Sequence, residues 1–120
     1  MTYVIVWEFQ VAAEQVEAFE RAYGPDGDWA ALFQRSPQFQ GTEVLRSTLD
    51  DEAVEDETFV ETTADAEKSG RTYFTIDRWA SREAYIEFNE RWADAYQEMD
   101  DRFLELCSSE VCLGKFEVIG

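Results

Sequence analysis

The sequence predicts an α+β fold of the ferredoxin-like type, a split β-α-β unit with one four-stranded antiparallel sheet and helices on one of its faces. Four short blocks rich in β-branched and aromatic residues indicate the strands. Amphipathic helical segments separate the first strand from the second and the third from the fourth. A chain of 120 residues suits a single domain, so we expect residues 1–120 to form one unit.

The first part of the chain predicts one strand and a helix in two pieces. Residues 3–11 (YVIVWEFQV) form the strand, and residues 13–23 carry apolar side chains at helical spacing. The turn Gly-Pro-Asp-Gly-Asp at 24–28 ends this helix. We expect Asp28 to cap a short second helical piece over 29–35.

The remaining elements follow from alternation and helical periodicity. Residues 39–48, 71–79 and 113–119 predict the second, third and fourth strands. Ser81 is the expected N-cap of a long amphipathic helix that is bent near residues 100–101. Its apolar side chains recur at spacings of three and four and are Tyr85, Phe88, Trp92, Tyr96, Met99, Phe103 and Leu106.

Residues 49–70 are predicted to be an acidic insertion between the second and third strands, because they contain little apolar material. Their acidic residues are Asp50, Asp51, Glu52, Glu55, Asp56, Glu57, Glu61, Asp65 and Glu67. These carboxylates could bind a divalent cation, but no calcium-loop pattern is present and like charges favour a solvated face. A weaker alternative is an interaction module that uses this segment to engage a basic protein.

The charge of the chain bears on its partners. The net charge of −17 disfavours nucleic-acid and anionic membrane partners, since such a surface repels phosphate. The acidity is explained either by solubility in a salt-rich proteome or by recognition of a cationic partner. A strong rise in stability with added salt would favour the first explanation, because screening relieves self-repulsion. No targeting or membrane-spanning segment is evident, so we expect a cytoplasmic protein.

The chain has no histidine, which removes the commonest general base and metal ligand. Zinc sites, histidine-ligated haem and histidine-dependent triads are therefore not expected, and no cofactor is predicted. Cys107 and Cys112 could form a disulfide, but two buried thiols at a helix-to-strand junction are the preferred interpretation in a reducing cytosol.

Both faces of the predicted sheet are largely apolar. One alternating set contains Val4, Val6, Phe74, Ile76, Phe116 and Val118, and the other contains Tyr3, Ile5, Trp7, Phe9, Tyr73, Thr75, Asp77 and Trp79. Two helical regions can cover only one face, and a monomer rarely exposes such a surface. The sequence therefore predicts a homodimer in which two sheets pack face to face.

Several segments resemble the antibiotic-biosynthesis monooxygenase superfamily of dimeric α/β-barrel proteins. They are the strands YVIVWEFQV, FQGTEVLRS and GKFEVI, the AYGPDGDW turn and the block YFTIDRWASREAYIEF. The resemblance covers nearly the whole chain outside residues 49–70. It implies the fold and the dimer, and it implies an oxygenase that needs no metal or flavin, in which a deprotonated aromatic substrate reduces oxygen directly. Phe88 and Asn89 stand where many members carry a histidine or another functional side chain, so the haem-degrading arrangement is not expected.

A pocket for an aromatic ligand needs flat apolar walls and a few polar groups. The predicted ligand-binding residues are Tyr3, Trp7, Tyr73, Trp79, Phe88, Asn89 and Trp92, with Tyr23 and Trp29 closing the pocket. Aromatic side chains at these spacings could instead simply form the core.

Asp77 is the predicted catalytic base, because it interrupts an apolar strand where burial would raise its pKa. An ion pair with Arg78, Arg46 or Arg71 is the alternative, and Glu8 and Glu117 carry the same ambiguity.

Two functions therefore remain open. The first is a cofactor-independent monooxygenase-like enzyme acting on a small aromatic or phenolic compound. The second is a non-catalytic homodimer that binds a small hydrophobic ligand or serves as a structural module.

Overall fold

The computed structural model describes residues 2–48 and 70–120 and shows the ferredoxin-like order of strands and helices. The strands are β1 (Tyr3–Val11), β2 (Phe39–Arg46), β3 (Arg71–Trp79) and β4 (Ser109–Glu117). They form one antiparallel sheet in the order β2-β3-β1-β4. The predicted acidic insertion lies outside the described residues, apart from Gly70.

The helices are α1 (Val16–Tyr23), α2 (Asp28–Phe33), α3 (Arg82–Arg91) and α4 (Ala93–Arg102), and short 3-10 turns precede α1 and follow α4. They cover one face of the sheet, as expected. The buried core that they share with β1 and β3 consists of Tyr3, Ile5, Phe9, Val11, Phe19, Ala22, Tyr23, Trp29, Leu32, Phe33, Tyr73, Trp79 and Phe88. None of the helices in the described part of the chain is long and apolar enough to cross a membrane.

Two local predictions about the helices were wrong. The N-cap of α2 is Gly27, not Asp28, and Asp28 is the first helical residue. A Cβ at Gly27 would lie 2.4 Å from the carbonyl oxygen of Arg21, so glycine is required for the close approach. The long helix is interrupted at Trp92, where φ is −114° and ψ is 26°, rather than near residues 100–101.

The fourth strand begins at Ser109, four residues before the predicted start at 113. A register shift opposite Val6 and Trp7 lets it continue along β1. Cys112 is therefore an exposed strand residue, and Cys107 is half-buried. Both thiols are free, so the prediction of two buried cysteines is corrected for Cys112.

The N-terminus of α3 confirms the predicted cap. Ser81 has an extended backbone, and its Oγ accepts a hydrogen bond from the backbone N–H of Ala84 at 3.1 Å. We expect Ser81→Ala to lower the free energy of unfolding by about 1 kcal/mol in urea denaturation, because one N–H at the helix start loses its acceptor. Ser81→Asp keeps an acceptor and should stay close to the wild type. Equal stability of the alanine variant and the wild type would contradict this assignment.

The other face of the sheet carries apolar side chains that no helix in the described structure covers. Alternation and register place Val4, Val6, Leu45, Phe74, Ile76, Val111, Phe116 and Val118 on this open sheet face. Phe116 is 50% exposed, and Leu45, Val111 and Val118 are also exposed. The apolar character of both faces is thus confirmed, while the dimer inferred from it stays a prediction.

Candidate functional site

A cavity of about 220 Å³ lies between the covered face of the sheet and the helices. Its lining residues are Trp7, Phe9, Tyr23, Trp29, Phe33, Thr42, Thr75, Asp77, Tyr96, Asp100 and Glu110. Mostly aromatic walls with a few polar groups are typical of small-molecule sites. Because a cavity of about 150 Å³ can hold benzene, this one has room for a single ring with short substituents.

The strand register brings the sheet residues of the cavity together. Trp7 and Phe9 alternate on β1, and Thr75 and Asp77 alternate on β3, so all four point toward the helices. Trp7 lies opposite Thr75, and Thr42 of β2 lies opposite Asp77. The floor of the cavity is therefore built on paired strands, which hold side chains more rigidly than loops do.

The helices supply an aromatic roof. Tyr23 ends α1, Trp29 lies in α2 and Tyr96 lies in α4. The ring centroids of Tyr23 and Trp29 are 5.9 Å apart, and those of Trp29 and Tyr96 are 5.0 Å apart with an edge-to-face orientation. Such ring contacts stabilise the roof of the cavity.

The carboxyl group of Asp77 is buried beneath the helices. Burial raises the pKa of its carboxyl from 3.8 to about 6, and a hydrogen bond from the Thr42 hydroxyl to Oδ1 opposes part of that rise. Burial disfavours the charged carboxylate, whereas a donated hydrogen bond favours it. With this pKa, ionised Asp77 outnumbers the protonated form by about ten to one at pH 7. The group can therefore accept a proton near neutral pH.

The ion-pair alternative for Asp77 is not supported by the contacts of the nearby arginines. Arg78 pairs with Glu43 at 3.2 Å, and Arg46 pairs with a glutamate of α1 at 3.5 Å. Arg71 begins β3, about 20 Å along the strand from Asp77 at the usual rise per residue. Among the described residues, the causes of the Asp77 pKa shift are burial and the hydrogen bond from Thr42.

The remaining polar groups of the cavity are hydrogen-bond donors or further acids. Burial is the main cause of the raised pKa values of Tyr23 and Tyr96, so both phenols stay protonated at neutral pH and can donate. Burial, and then the negative charge of Asp100, raise the pKa of Glu110. The indole N–H of Trp29 lies near the Tyr23 phenol and lowers its pKa against the larger effect of burial. It has no hydrogen-bond partner of good geometry within the described residues.

Some of the predicted site residues meet in this cavity. Asp77 and Trp7 line it, and so do Tyr23 and Trp29, which were expected to close the pocket. Tyr3, Tyr73, Trp79 and Phe88 are instead at most 7% exposed and belong to the packed core. Trp79, for example, contacts the rings of Phe33, Phe39, Tyr85 and Phe88. These four residues therefore do not line the cavity and would not contact a ligand bound there.

Asn89 and Trp92 also lie outside the lining of the cavity. The Asn89 amide donates to the backbone carbonyl of Tyr85 at 2.8 Å, one turn earlier in α3. The guanidinium of Arg35 lies 4.8 Å from the Trp92 ring centroid. Trp92 and Phe88 line a separate cavity of about 160 Å³ beside the end of α2.

The remaining candidate residues, Tyr73, Glu8 and Glu117, lie outside the cavity. Tyr73 donates a hydrogen bond to Glu20, and burial together with that carboxylate raises the pKa of Tyr73 to about 12. Glu8 points to the open sheet face by alternation, and Glu117 is exposed on β4. Across residues 2–48 and 70–120, no three His, Cys, Asp or Glu side chains are grouped so that they could hold a metal ion.

Several cavity residues were missed from the sequence. Thr42 becomes part of the site only through the pairing of β2 with β3. Tyr96 lies one helical turn beyond Trp92 in the predicted apolar pattern, which was a usable signal. Glu110 was missed because the fourth strand was predicted to begin after it, and Asp100 because it was interpreted as a bend.

Comparison of the sequence with known protein families and with curated proteins finds no match. Solved structures do match. SnoaB, a cofactor-independent oxygenase from Streptomyces nogalater, superimposes in a mutant form with a TM-score of 0.66 at 19% identity, covering 98% of this chain and 92% of that chain. A candidate antibiotic biosynthesis monooxygenase from Bordetella bronchiseptica gives 0.64 at 13% identity, covering 98% and 97%.

A further similar structure carries a different activity. Hydroxynitrile lyase from Passiflora edulis gives a TM-score of 0.57 at 17% identity, covering 98% of this chain and 94% of that chain. Likeness at these identities concerns the fold, because one fold hosts many reactions. The fold expected from the resemblance is confirmed: this chain shares its fold with SnoaB and with the candidate antibiotic biosynthesis monooxygenase.

Proposed function

We propose that this chain is a cofactor-independent monooxygenase-like enzyme that acts on a small aromatic or phenolic compound bound in the cavity. The observation that carries the proposal is the carboxylate of Asp77, which has a pKa of about 6 in a largely aromatic cavity. The likeness to SnoaB, itself a cofactor-independent oxygenase, supports the same class of reaction.

In the proposed reaction, Asp77 removes a proton from an activated carbon of the substrate. The resulting carbanion transfers its electrons to dioxygen, and a carbon–oxygen bond forms to give a hydroperoxide. A second C–H bond and the O–O bond then break, so that a CH2 group and O2 become a carbonyl group and water. The proton held by Asp77 leaves with the water, which returns the base to its starting form.

The phenols of Tyr23 and Tyr96 are suited to stabilise the negative charge that develops. Both are protonated at neutral pH, so each can donate a hydrogen bond to an oxyanion on the substrate. Trp7 and Phe9, whose ring centroids are 6.2 Å apart in a stacked orientation, provide a flat wall for the ring of the substrate.

The second candidate is a non-catalytic protein that binds a small hydrophobic ligand. The cavity itself favours this version over a purely structural module, whose interior should be filled by side chains. A hydroxynitrile lyase has a similar structure, so the fold by itself does not specify an oxygenase reaction.

We also propose that the chain forms a homodimer through the open sheet face. Val4, Val6, Phe74 and Ile76 lie on the central strands, where only another apolar surface could remove them from water. A second copy offers the same surface, and two-fold packing would bury both at once.

Oxygen consumption tests the enzymatic proposal. Purified protein is supplied with quinols, naphthols and anthrones, and uptake is followed with an oxygen electrode while products are identified by mass spectrometry. Uptake that requires the folded protein and forms a carbonyl product is expected for at least one class. Binding without uptake across the whole panel would favour the non-catalytic candidate.

The pH dependence of kcat/KM should report Asp77 directly. Activity is expected to rise as pH increases through about 6, because the base must be ionised. Thr42→Val removes the hydrogen bond that favours the carboxylate, so the rising limb should move to higher pH by about one unit. Thr75→Val makes the same change in another cavity residue and should leave the limb in place. Identical profiles for the wild type and Thr42→Val would argue against Asp77 as the base.

A further inference from the structure

The charged side chains of the described residues that line the cavity are all acidic. The carboxylates of Asp77, Asp100 and Glu110 line the cavity, and no lysine or arginine lines it among residues 2–48 and 70–120. The pKa of Glu110, an exposed residue at the edge of the cavity, is raised by partial burial and then by the negative charge of Asp100, so these two carboxylates repel each other. A ligand with positive charge would relieve that repulsion, whereas an anion would add to it.

The aromatic walls of the cavity also favour a positively charged ligand. The faces of aromatic rings carry partial negative charge, and they attract a cation placed over them. Trp7, Trp29 and Tyr96 lie on different sides of the cavity, on β1, α2 and α4. An ammonium group in the cavity would therefore lie near aromatic rings as well as carboxylates, and the net charge of −17 would help to attract it.

The cavity also offers a donor that has no well-oriented acceptor among the described residues. Trp29 is only 7% exposed, and its indole Nε1 has no hydrogen-bond partner within the part of the chain that is described. A buried donor left unpaired costs free energy, and buried polar groups usually have partners. Because Trp29 lines the cavity, an oxygen atom of a bound ligand could accept from it.

We propose that the cavity selects a small organic cation, namely a protonated amine that carries one aromatic ring and an oxygen acceptor. The carboxylates and ring faces would hold the ammonium group, and the Trp29 N–H would donate to the oxygen. The claim that such an amine is the substrate rests on the proposed function, whereas the charge selection concerns binding alone. A single ring with a short chain also agrees with a volume of about 220 Å³.

Three probes of nearly equal shape test the charge preference by calorimetry near neutral pH. Tyramine is a cation, tyrosol replaces its ammonium group by a hydroxyl, and para-hydroxyphenylacetate is an anion. We expect tyramine to bind roughly ten-fold more tightly than tyrosol, and the anion to bind more weakly than either. Phenethylamine lacks the phenol oxygen and should bind several-fold more weakly than tyramine.

Charge-neutralising variants locate the effect. Asp100→Asn and Glu110→Gln should each weaken tyramine binding about five-fold and leave tyrosol binding nearly unchanged. Glu90→Gln removes the same charge from an exposed position of α3 outside the cavity lining, and it should not alter the preference.

Equal affinity for tyramine and tyrosol, tighter binding of the anion, or no binding of any probe would overturn the inference. Its outcome is separate from that of the oxygen assay. Selective binding of tyramine without oxygen uptake on any amine would retain the charge selection and remove the enzymatic proposal. Oxygen uptake on neutral phenols, without a binding preference for the cation, would retain the enzymatic proposal and remove the charge selection.

Discussion

Replacing Asp77 by asparagine is expected to abolish oxygen-dependent turnover and, at the same time, to stabilise the protein at about pH 8. Asparagine keeps the shape of the side chain and can still accept from Thr42, but it cannot take a proton from a substrate. Loss of a general base typically costs about 100-fold to 10,000-fold in rate. The ligand-binding walls are unchanged, so affinity for a neutral ring compound should be preserved.

The stability gain follows from the direction of the Asp77 pKa shift. The folded-state value of about 6 lies above the ordinary value of 3.8, so the folded protein binds more protons between these limits. Stability therefore falls as pH rises through about 4 to 6, and above that window the ionised carboxylate costs at most about 3 kcal/mol. Asparagine has no charge to bury. The variant should unfold at higher urea concentration than the wild type at about pH 8, with little difference at about pH 4.

An exposed acid provides the control for this experiment. Asp26 lies in the turn before α2 and is exposed, so Asp26→Asn changes the same functional group without altering a buried site. It should show neither the activity loss nor the pH-dependent gain. If Asp77→Asn were as active as the wild type, Asp77 would not be the base. If it were less stable at both pH values, the carboxylate would have a structural role.

The second large effect is expected at the open sheet face. Phe116→Glu should convert the proposed homodimer to a monomer at micromolar concentration in size-exclusion chromatography with light scattering. Phe116 is 50% exposed in the single chain and lies beside Val4, so the substitution costs little in the protomer. In a two-fold interface the new charge enters twice, and burying it unpaired should raise the dissociation constant by at least about 100-fold.

Leu104→Glu is the matched control for the dimer experiment. Leu104 is 67% exposed in the 3-10 turn after α4, away from the sheet, so the same change of chemistry should leave the assembly intact. A wild-type monomer at micromolar concentration would contradict the dimer. Dissociation by both variants would assign the effect to added negative charge, because each chain already carries −17.

Strand and helix positions were largely predictable because they depend on local patterns. Tyr3–Val11 and Arg71–Trp79 have the predicted bounds, and Ser81 caps α3 as expected. Alternation along these strands also identified Trp7 and Asp77 as members of one face. The errors arose where local signals were weak, as at Trp92, where neither proline nor glycine marks the interruption of the helix.

The sequence by itself determined the element order, the two apolar faces of the sheet and the unusual position of an acid within β3. Periodicity carries this information, because it records which side chains leave water. Only the tertiary structure decided which aromatic residues pack into the core and which line a cavity, since both have the same periodicity. It alone placed Thr42 beside Asp77, and Asp100 and Glu110 beside the aromatic walls. These neighbours come from distant parts of the chain, and strand register and helix packing bring them together.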